Sequence, residues 1–272
     1  MIKVENVWFS YDGVRYVLKD VIMKFSEGNY IAIMGENGSG KTTLLKHLNG
    51  LLKPNKGRVL VDGIETSKIP VSELARKVAI VFQNPEMMFF SERVYDEISF
   101  ALRNFGLDEE IIEKTVKKVL NIFGLDEYAT ESPFNLSEGE KRRLAFACVL
   151  AWNPKYIVLD EPTAGQDVFQ RELLRGLIKQ LTSQGRTVII ASHDVEFVAE
   201  TKPYIYLLSK GEVIGEGKAE DVLTDDKLIK KAGLIKPQIV EVFNYLGFNY
   251  REILDVNDAL DFIIKKVSER NV

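Results

Sequence analysis

The segment Gly35-Glu36-Asn37-Gly38-Ser39-Gly40-Lys41-Thr42 constrains this chain more than any other, because it follows the phosphate-loop pattern G-x-x-x-x-G-K-[ST]. Backbone N–H groups can wrap a phosphate chain only where Cβ atoms do not intervene. Gly35, Gly38 and Gly40 remove that obstacle and permit positive φ. Lys41 can reach β- and γ-phosphates, and the Thr42 hydroxyl can ligate Mg²⁺. The flanks agree: Tyr30-Ile31-Ala32-Ile33-Met34 reads as a short buried strand, and Thr43 to Leu48 as a helix whose N-terminus faces the phosphates. Composition alone would produce the eight-residue pattern in roughly one chain of this length in a hundred, and the strand-loop-helix setting makes chance rarer still.

The rest of the chain supplies partners for such a unit. Val78 to Phe82, Tyr156 to Asp160 and Thr187 to Ala191 are short continuous apolar runs, suited to strands buried on both faces of a parallel sheet. Residues 2–25 carry strand-like stretches split by the turn signal Asp12-Gly13, and Arg58 to Gly63 adds a strand and turn. Helical patterns over 94–105, 109–123, 138–152, 167–183 and 195–200 alternate with the runs, which predicts an α/β core. Those between 94 and 152 follow one another without a strand, as a helical insertion would. After Gly217 the pattern is helical, and Val256, Leu260, Ile263, Ile264 and Val267 stripe one face of the last helix. The expected division is 1–218 for the main domain, with a helical subdomain over about 90–152, and 219–272 for a small C-terminal appendage.

Asp plus Glu number 40 against 36 Lys plus Arg, so the net charge of −4 argues against broad binding of nucleic acid. No apolar run is long enough to span a bilayer, and the N-terminal residues lack a signal peptide's apolar core. The single cysteine, Cys148, allows no intrachain disulfide and reads as a small core residue. A cytosolic location is the default expectation.

Three further motifs carry chemistry. Tyr156 to Asp160 is an apolar strand that ends in Asp160-Glu161. Asp160 would hold Mg²⁺, and Glu161 could polarise a water for attack on a γ-phosphate, although the same carboxylates could simply form a solvated turn. Ala191-Ser192-His193-Asp194 ends another buried strand, at the edge where ligands of parallel sheets gather, so His193 could contact the γ-phosphate. His47, inside the helix after the loop, reads instead as a surface or capping residue. Leu136-Ser137-Glu138-Gly139-Glu140 opens a helix with a capping box between Ser137 and Glu140, and the same N-terminus could bind phosphate.

Taken in order, Tyr11, the loop 35–42, Gln83, Leu136 to Glu140, Asp160-Glu161, Asp167 and His193 resemble the ATP-binding subunit of an ABC transporter, over essentially residues 1–215. Val81 to Pro85, Pro162 to Gly165 and the tail segment Pro237 to Gly247 look particularly like the ATPases of energy-coupling factor (ECF) importers. The resemblance implies an ABC-type P-loop NTPase fold with an antiparallel β subdomain, a helical subdomain and a C-terminal helical appendage that helps pair two ATPases. It implies that Tyr11 stacks on adenine and that Gly35, Asn37, Gly38, Ser39, Gly40, Lys41, Thr42 and Thr43 hold ATP. Mg²⁺ would sit with Thr42, Gln83 and Asp160, Glu161 would be the general base, and His193 and Gln83 would serve catalysis. Ser137 and Gly139 would act in trans on the nucleotide of a second ATPase subunit, a paralogue or a copy, with Asp167 at the subunit boundary. The remaining partners would be an ECF-type transmembrane coupling subunit and a substrate-binding membrane subunit. The location would then be peripheral, on the cytoplasmic face of the membrane, and the cargo a vitamin or transition-metal ion.

The sequence departs from the family pattern in places. Glu138 stands where glycine is usual, and a carboxylate about 5 Å from a γ-phosphate charge would cost roughly 3 kcal/mol at an effective dielectric near 20. Turned to solvent, it would instead favour the helix N-terminus by a few tenths of a kcal/mol, on the order of the usual helix-dipole effect. Gln166 and Val168 replace the usual leucine and proline around Asp167, and Met87-Met88-Phe89-Phe90 is unusually apolar, fit either for core or for an adaptable groove. The competing reading is a soluble ABC-type ATPase acting as a nucleotide-gated interaction module. Against it stand the presence of Glu161, a single ATPase unit, and the lack of a coiled coil in the roughly ninety residues between Thr42 and Leu136.

Overall fold

The computed structural model describes residues 1–248 and 250–270. Asn249 and the last two residues of the expected appendage therefore lie outside the described residues. Strands β1 (Ile2–Ser10) and β2 (Tyr16–Phe25) pair antiparallel around the Asp12-Gly13 turn. There one Asp12 carboxylate oxygen accepts from the N–H groups of Val14 and Arg15 and from the Ser10 hydroxyl, which holds its pKa down at about 2. β3 (Tyr30–Met34) runs into the phosphate loop and α1 (Lys41–Leu48). β4 (Lys56–Val61) and β5 (Ile64–Glu65) return to the first sheet, and α2 (Val71–Ala75) leads to β6 (Val78–Val81). Then α3 (Val94–Asn104), α4 (Glu109–Phe123) and α5 (Glu138–Leu150) follow in succession, as the patterning over 94–152 predicts. The chain alternates through β7 (Tyr156–Asp160), α6 (Val168–Ser183), β8 (Thr187–Ser192), α7 (Val195–Thr201), β9 (Tyr204–Ser209) and β10 (Glu212–Lys218). It ends in α8 (Ala219–Val222), α9 (Asp226–Lys231), α10 (Gln238–Tyr245) and α11 (Val256–Arg270).

Two sheets result. The antiparallel one has the order β2-β1-β4-β5, and the second has the order β10-β9-β3-β8-β7-β6, parallel except for the β9–β10 hairpin. In β3, β7 and β8 nearly every residue is buried, which is why these strands read as unbroken apolar runs. Side chains alternate between faces: Ile31, Ile33 and Val158 pack with α1 and the antiparallel sheet, while Ala32, Met34, Ile157 and Leu159 pack toward α3–α7. Cys148 is a partly buried member of the second group, and burial raises its thiol pKa.

Register decides the site. Met34 pairs with Ser192 and Asp160 with Ala191, so β3, β7 and β8 end level with one another. Their following loops carry the phosphate loop, Glu161 and His193 to a single edge.

Two expectations need correction or division. His47 is not a surface or capping residue. It is fully buried, its Nδ1–H donates to the Thr43 carbonyl at 2.7 Å, and its ring meets Phe9 edge-on at 4.6 Å. The Met87 to Phe90 run divides: Phe89 is buried against Phe134, whereas Met87 and Phe90 are exposed. In the C-terminal segment Ala219, Val222, Leu223, Ile229, Ala232, Val240 and Leu254 join the core beneath the helical face of the sheet, and Phe243, Ile253 and Ala259 form a small cluster of their own. The stripe of α11 faces outward, with Val256, Leu260, Ile263, Ile264 and Val267 all more than half exposed.

Candidate active site

The loop 35–42 begins where β3 ends. At Gly35 φ is +156°, and a Cβ there would lie 2.1 Å from the Leu208 carbonyl oxygen, so β9 leaves no room for any side chain. Gly40 caps α1 in the left-handed region at φ +108°, which turns the first helical N–H groups toward the loop. The loop is tied by Ser39 N–H to Glu36 O at 3.2 Å and by Gly211 N–H to Ser39 O at 3.0 Å. Asn37 and Gly38 are exposed at its crest, while Ser39, Lys41 and Thr43 are buried.

Lys41 curls back beneath its own loop. Its ammonium donates to the carbonyls of Gly35 at 2.8 Å and Glu36 at 3.2 Å, and it pairs with Glu161 Oε1 at 3.2 Å. The Thr42 hydroxyl donates to Asp160 Oδ2 at 2.8 Å. Asp160 Oδ1 is buried without a hydrogen-bond partner, as is Ser39 Oγ. Burial raises the Asp160 pKa, and the neighbouring Glu161 charge adds to this against the opposing Thr42 hydrogen bond. Glu161 sits in the left-handed region at φ +46°, held by its N–H to the Ala191 carbonyl at 2.9 Å. Its Oε2 accepts from His193 Nδ1 at 2.9 Å and from the His193 backbone N–H at 3.3 Å. The His193 ring stays half exposed at the mouth of the site.

Tyr11 reaches this edge from the antiparallel sheet. Its hydroxyl bonds to Thr43 Oγ1 at 3.1 Å, and its ring packs edge-on against Phe9 while remaining 62% exposed, so one face is free to stack. Gln83, exposed just beyond β6, lines a small cleft with Phe82, Asp160, Glu161 and Arg142. Sequence reasoning missed Arg142. Its guanidinium donates to the Pro162 carbonyl at 2.7 Å, joining α5 to the turn that holds Glu161, and no local pattern in the chain points to this contact.

Ser137 and Gly139 stand apart from this constellation. They open α5, and the capping box is present: the Ser137 N–H donates to Glu140 Oε2 at 2.8 Å, and Glu140 N–H reaches Ser137 Oγ at 3.4 Å. A Cβ on Gly139 would fall 2.6 Å from Gln170 Nε2 on α6. Ser137 is exposed, and the Glu138 side chain is 81% exposed with Lys141 at 3.4 Å. Asp167 caps α6 by accepting from the Gln170 N–H at 2.8 Å.

These residues fit a nucleoside triphosphate and a divalent cation. The orphaned Asp160 Oδ1 faces no protein donor, Thr42 is already paired with the same carboxylate, and the buried Lys41 is satisfied only by carbonyls and Glu161. Open space lies where a Gly38 Cβ would project.

Comparison with known proteins agrees with the geometry. The ABC transporter family model matches residues 18–164. The energy-coupling factor transporter ATP-binding protein EcfA of Methanothermobacter thermautotrophicus is 38% identical over 95% of this chain and 85% of its own length. The energy-coupling factor transporter ATP-binding protein EcfA2 of Clostridium perfringens is 37% identical over 99% of both chains. Among solved structures, cbiO1 of Clostridium perfringens, part of the ABC transporter complex cbiONQ, superposes with a TM-score of 0.75 at 34% identity, covering 89% of this chain and 98% of that one. A dimeric ATP-binding cassette in a post-hydrolysis state with ADP and Pi superposes with a TM-score of 0.72 at 31% identity, covering 80% and 99%. The chain belongs to the ABC transporter ATP-binding family and is an ATPase coupled to transmembrane transport.

Proposed function

We propose that this chain powers import of a vitamin or transition-metal ion as one of two ATPase subunits of an ECF-type transporter. The observation that carries the reading is the constellation at one sheet edge: Lys41 and His193 both engage Glu161, and Thr42 bonds Asp160 beside it, while Ser137 is displayed, exposed, on a separate helix. A signature displayed to solvent, with Ser137 bonded to Glu140 of its own helix, suits service to a neighbour's loop. Two subunits set head to tail would enclose two ATP molecules, each between one subunit's loop and the other's Ser137 and Gly139. Binding would close the pair and hydrolysis would release it.

In this reading Tyr11 stacks on adenine, and the N–H groups of 38–43 wrap the phosphates together with Lys41. Mg²⁺, held by Thr42 and Asp160 with Gln83 nearby, would neutralise charge on the β- and γ-phosphates. Water attacks the γ-phosphorus, Glu161 accepts its proton, and ADP leaves with phosphate as the second product. His193 holds the Glu161 carboxylate in place and lies at the site mouth, where its ring can meet the γ-phosphate.

The exposed Met87 and Phe90 lie just beyond Gln83 and suit docking of a membrane subunit's helix. The outward stripe of α11 suits pairing with the second ATPase. No helix among the described residues is long and apolar enough to cross a membrane, in keeping with a peripheral subunit on the cytoplasmic face. The rival reading, a soluble nucleotide-gated module, has no use for a base held as Glu161 is.

Purification of the chain from detergent-solubilised membranes, with its companions identified, tests the proposal. A second ATPase, a transmembrane coupling subunit and a small substrate-binding membrane protein are expected. Recovery of the chain with no membrane protein would overturn the transport assignment.

A further inference from the structure

The C-terminal segment grips the phosphate loop. Helix α9 is started by Asp225, whose carboxylate accepts from the N–H groups of Lys227 at 2.8 Å and Leu228 at 3.0 Å. It stops at Gly233, in the left-handed region at φ +69°, where Gly233 N–H meets Lys230 O at 3.2 Å and Leu234 N–H meets Ile229 O at 3.0 Å. This ending leaves the carbonyl of the fully buried Ala232 without a helical donor. The donor it finds is the backbone N–H of Glu36, at 3.1 Å, inside the phosphate loop.

Glycine suits the approach: it takes up the left-handed φ of +69° readily, and a Cβ there would press on the Glu36 side chain. A Cβ at 233 would lie 2.8 Å from Glu36 Oε2 and 3.1 Å from its Cβ and Cδ. The Glu36 peptide is thus held on both sides: Ala232 takes its N–H, while its carbonyl accepts from Lys41 Nζ and Ser39 N–H, each at 3.2 Å. A second strut leaves the same segment. Gln238 N–H donates to Glu196 Oε1 at 2.8 Å, fixing the start of α10 to α7, the helix that follows His193. Between the two struts, Lys236 is buried and paired with Asp226 at 2.6 Å. Lys202, at the end of α7, pairs in turn with Asp258 of α11.

We propose that Gly233 is a positioning residue for nucleotide binding. Its bare α-carbon lets Ala232 fix the Glu36 peptide, and through it the carbonyls on which Lys41 rests, so that the C-terminal segment sets the shape of the phosphate loop. The proposal rests on the reading of residues 35–42 as the triphosphate site. It gives α9 a task inside the catalytic unit, and it connects the exposed stripe of α11 to that loop through continuous protein.

Gly233→Asn tests it in the full-length chain, because asparagine tolerates the left-handed region yet carries a Cβ. Affinity for a fluorescent ATP analogue with Mg²⁺, KM and kcat for ATP, and Tm are read together. Affinity should fall about fivefold or more, the lower end of usual coupling strengths, with KM raised and kcat within about twofold. Adding Glu36→Gly removes the atoms a Cβ meets and, with Glu36→Gly alone as the control for the loop, should bring affinity back to that of the control while leaving Tm low, a rescue that a merely structural role would not give. Wild-type affinity in Gly233→Asn, or no rescue, overturns the proposal. Hydrogen exchange on the unaltered protein gives a reading independent of folding in the variant. The Glu36 amide should exchange more slowly than those of Asn37 and Gly38, and equal rates would count against the grip. Failure of the unaltered protein to bind the analogue would sink the reading of the loop itself instead.

Discussion

The ammonium of Lys41 lies 3.2 Å from Glu161 Oε1, while Glu161 Oε2 is engaged by His193 at 2.9 Å. In this state both oxygens of the candidate base are taken, and the cation meant for a triphosphate is spent on protein. On the proposed reading, an arriving γ-phosphate would compete for Lys41 and release one oxygen of Glu161 toward water, which would make binding and base activation one event. Glu161→Gln should keep ATP affinity, since glutamine still offers an oxygen to Lys41, but lose turnover by about 10² to 10⁴-fold, the usual value of a general base. Steady-state phosphate release beside an ATP titration checks this, and unaltered turnover would remove Glu161 from the role.

Glu138 gives a second expectation. Its side chain is 81% exposed and tethered to Lys141, which also bonds Glu86. A carboxylate so placed has its charge balanced by Lys141 and favours the start of α5. Glu138→Gly should leave turnover within about twofold and lower stability by roughly 1 kcal/mol, through lost helix-dipole complementarity and added backbone freedom. Glu138→Gln separates the charge from the backbone effect. Turnover rising severalfold in both variants would show that the carboxylate repels a nucleotide instead.

The parts of this design that were legible in the sequence are those where one local cause dominates. β3, β7 and β8 read as strands because both faces are covered, and their shared edge follows from their being parallel. β10 is obscure because it sits at the sheet edge with Gly215 and Gly217 and keeps neither an apolar run nor a clean alternation. β9 carries an apolar run, but its place beside β3 is a matter of strand order, which local patterning does not encode. The same limit hides the contacts of Arg142 with Pro162 and of Ala232 with Glu36, between residues distant in the chain. His47 was misleading for another reason: a polar ring in a short helix gives no sign that Phe9, on another sheet, will cover it.

Asp160 is expected to weaken the fold it serves. Burial raises its pKa, so the stability this group contributes is fully present below its ordinary value of 3.8 and is lost as pH rises through the raised folded value. At neutral pH it is a desolvated carboxylate with one unpartnered oxygen. Asp160→Asn keeps an acceptor for Thr42 and removes the charge. Without nucleotide the variant should be more stable than the parent at pH near 7, by about 1 kcal/mol or a few degrees in Tm, an advantage that fades in acid. Its ATP affinity should no longer respond to Mg²⁺. Calorimetry across pH checks the first part, and a variant less stable at neutral pH would contradict it.

The buried imidazole of His47 gives a pH dependence of the opposite sign. Burial lowers its pKa below the ordinary 6.5, only partly offset by the hydrogen bond to Thr43 O, and its Nε2 has no partner. The folded chain therefore keeps His47 neutral while the unfolded chain takes up a proton. Its stabilising effect is present above about pH 6.5 and is lost as pH falls toward the depressed folded value, with a slope of at most about 1.4 kcal/mol per pH unit. His47→Gln can still donate to the Thr43 carbonyl but cannot titrate. Denaturant unfolding between about pH 5 and 7 should show a shallower slope in the variant. Because His47 lies one turn beyond Thr43, the same acid range should loosen α1 and weaken ATP binding in the parent more than in the variant. Identical slopes in the two proteins would mean that His47 is protonated as readily in the fold as outside it, and the buried-neutral assignment would fall.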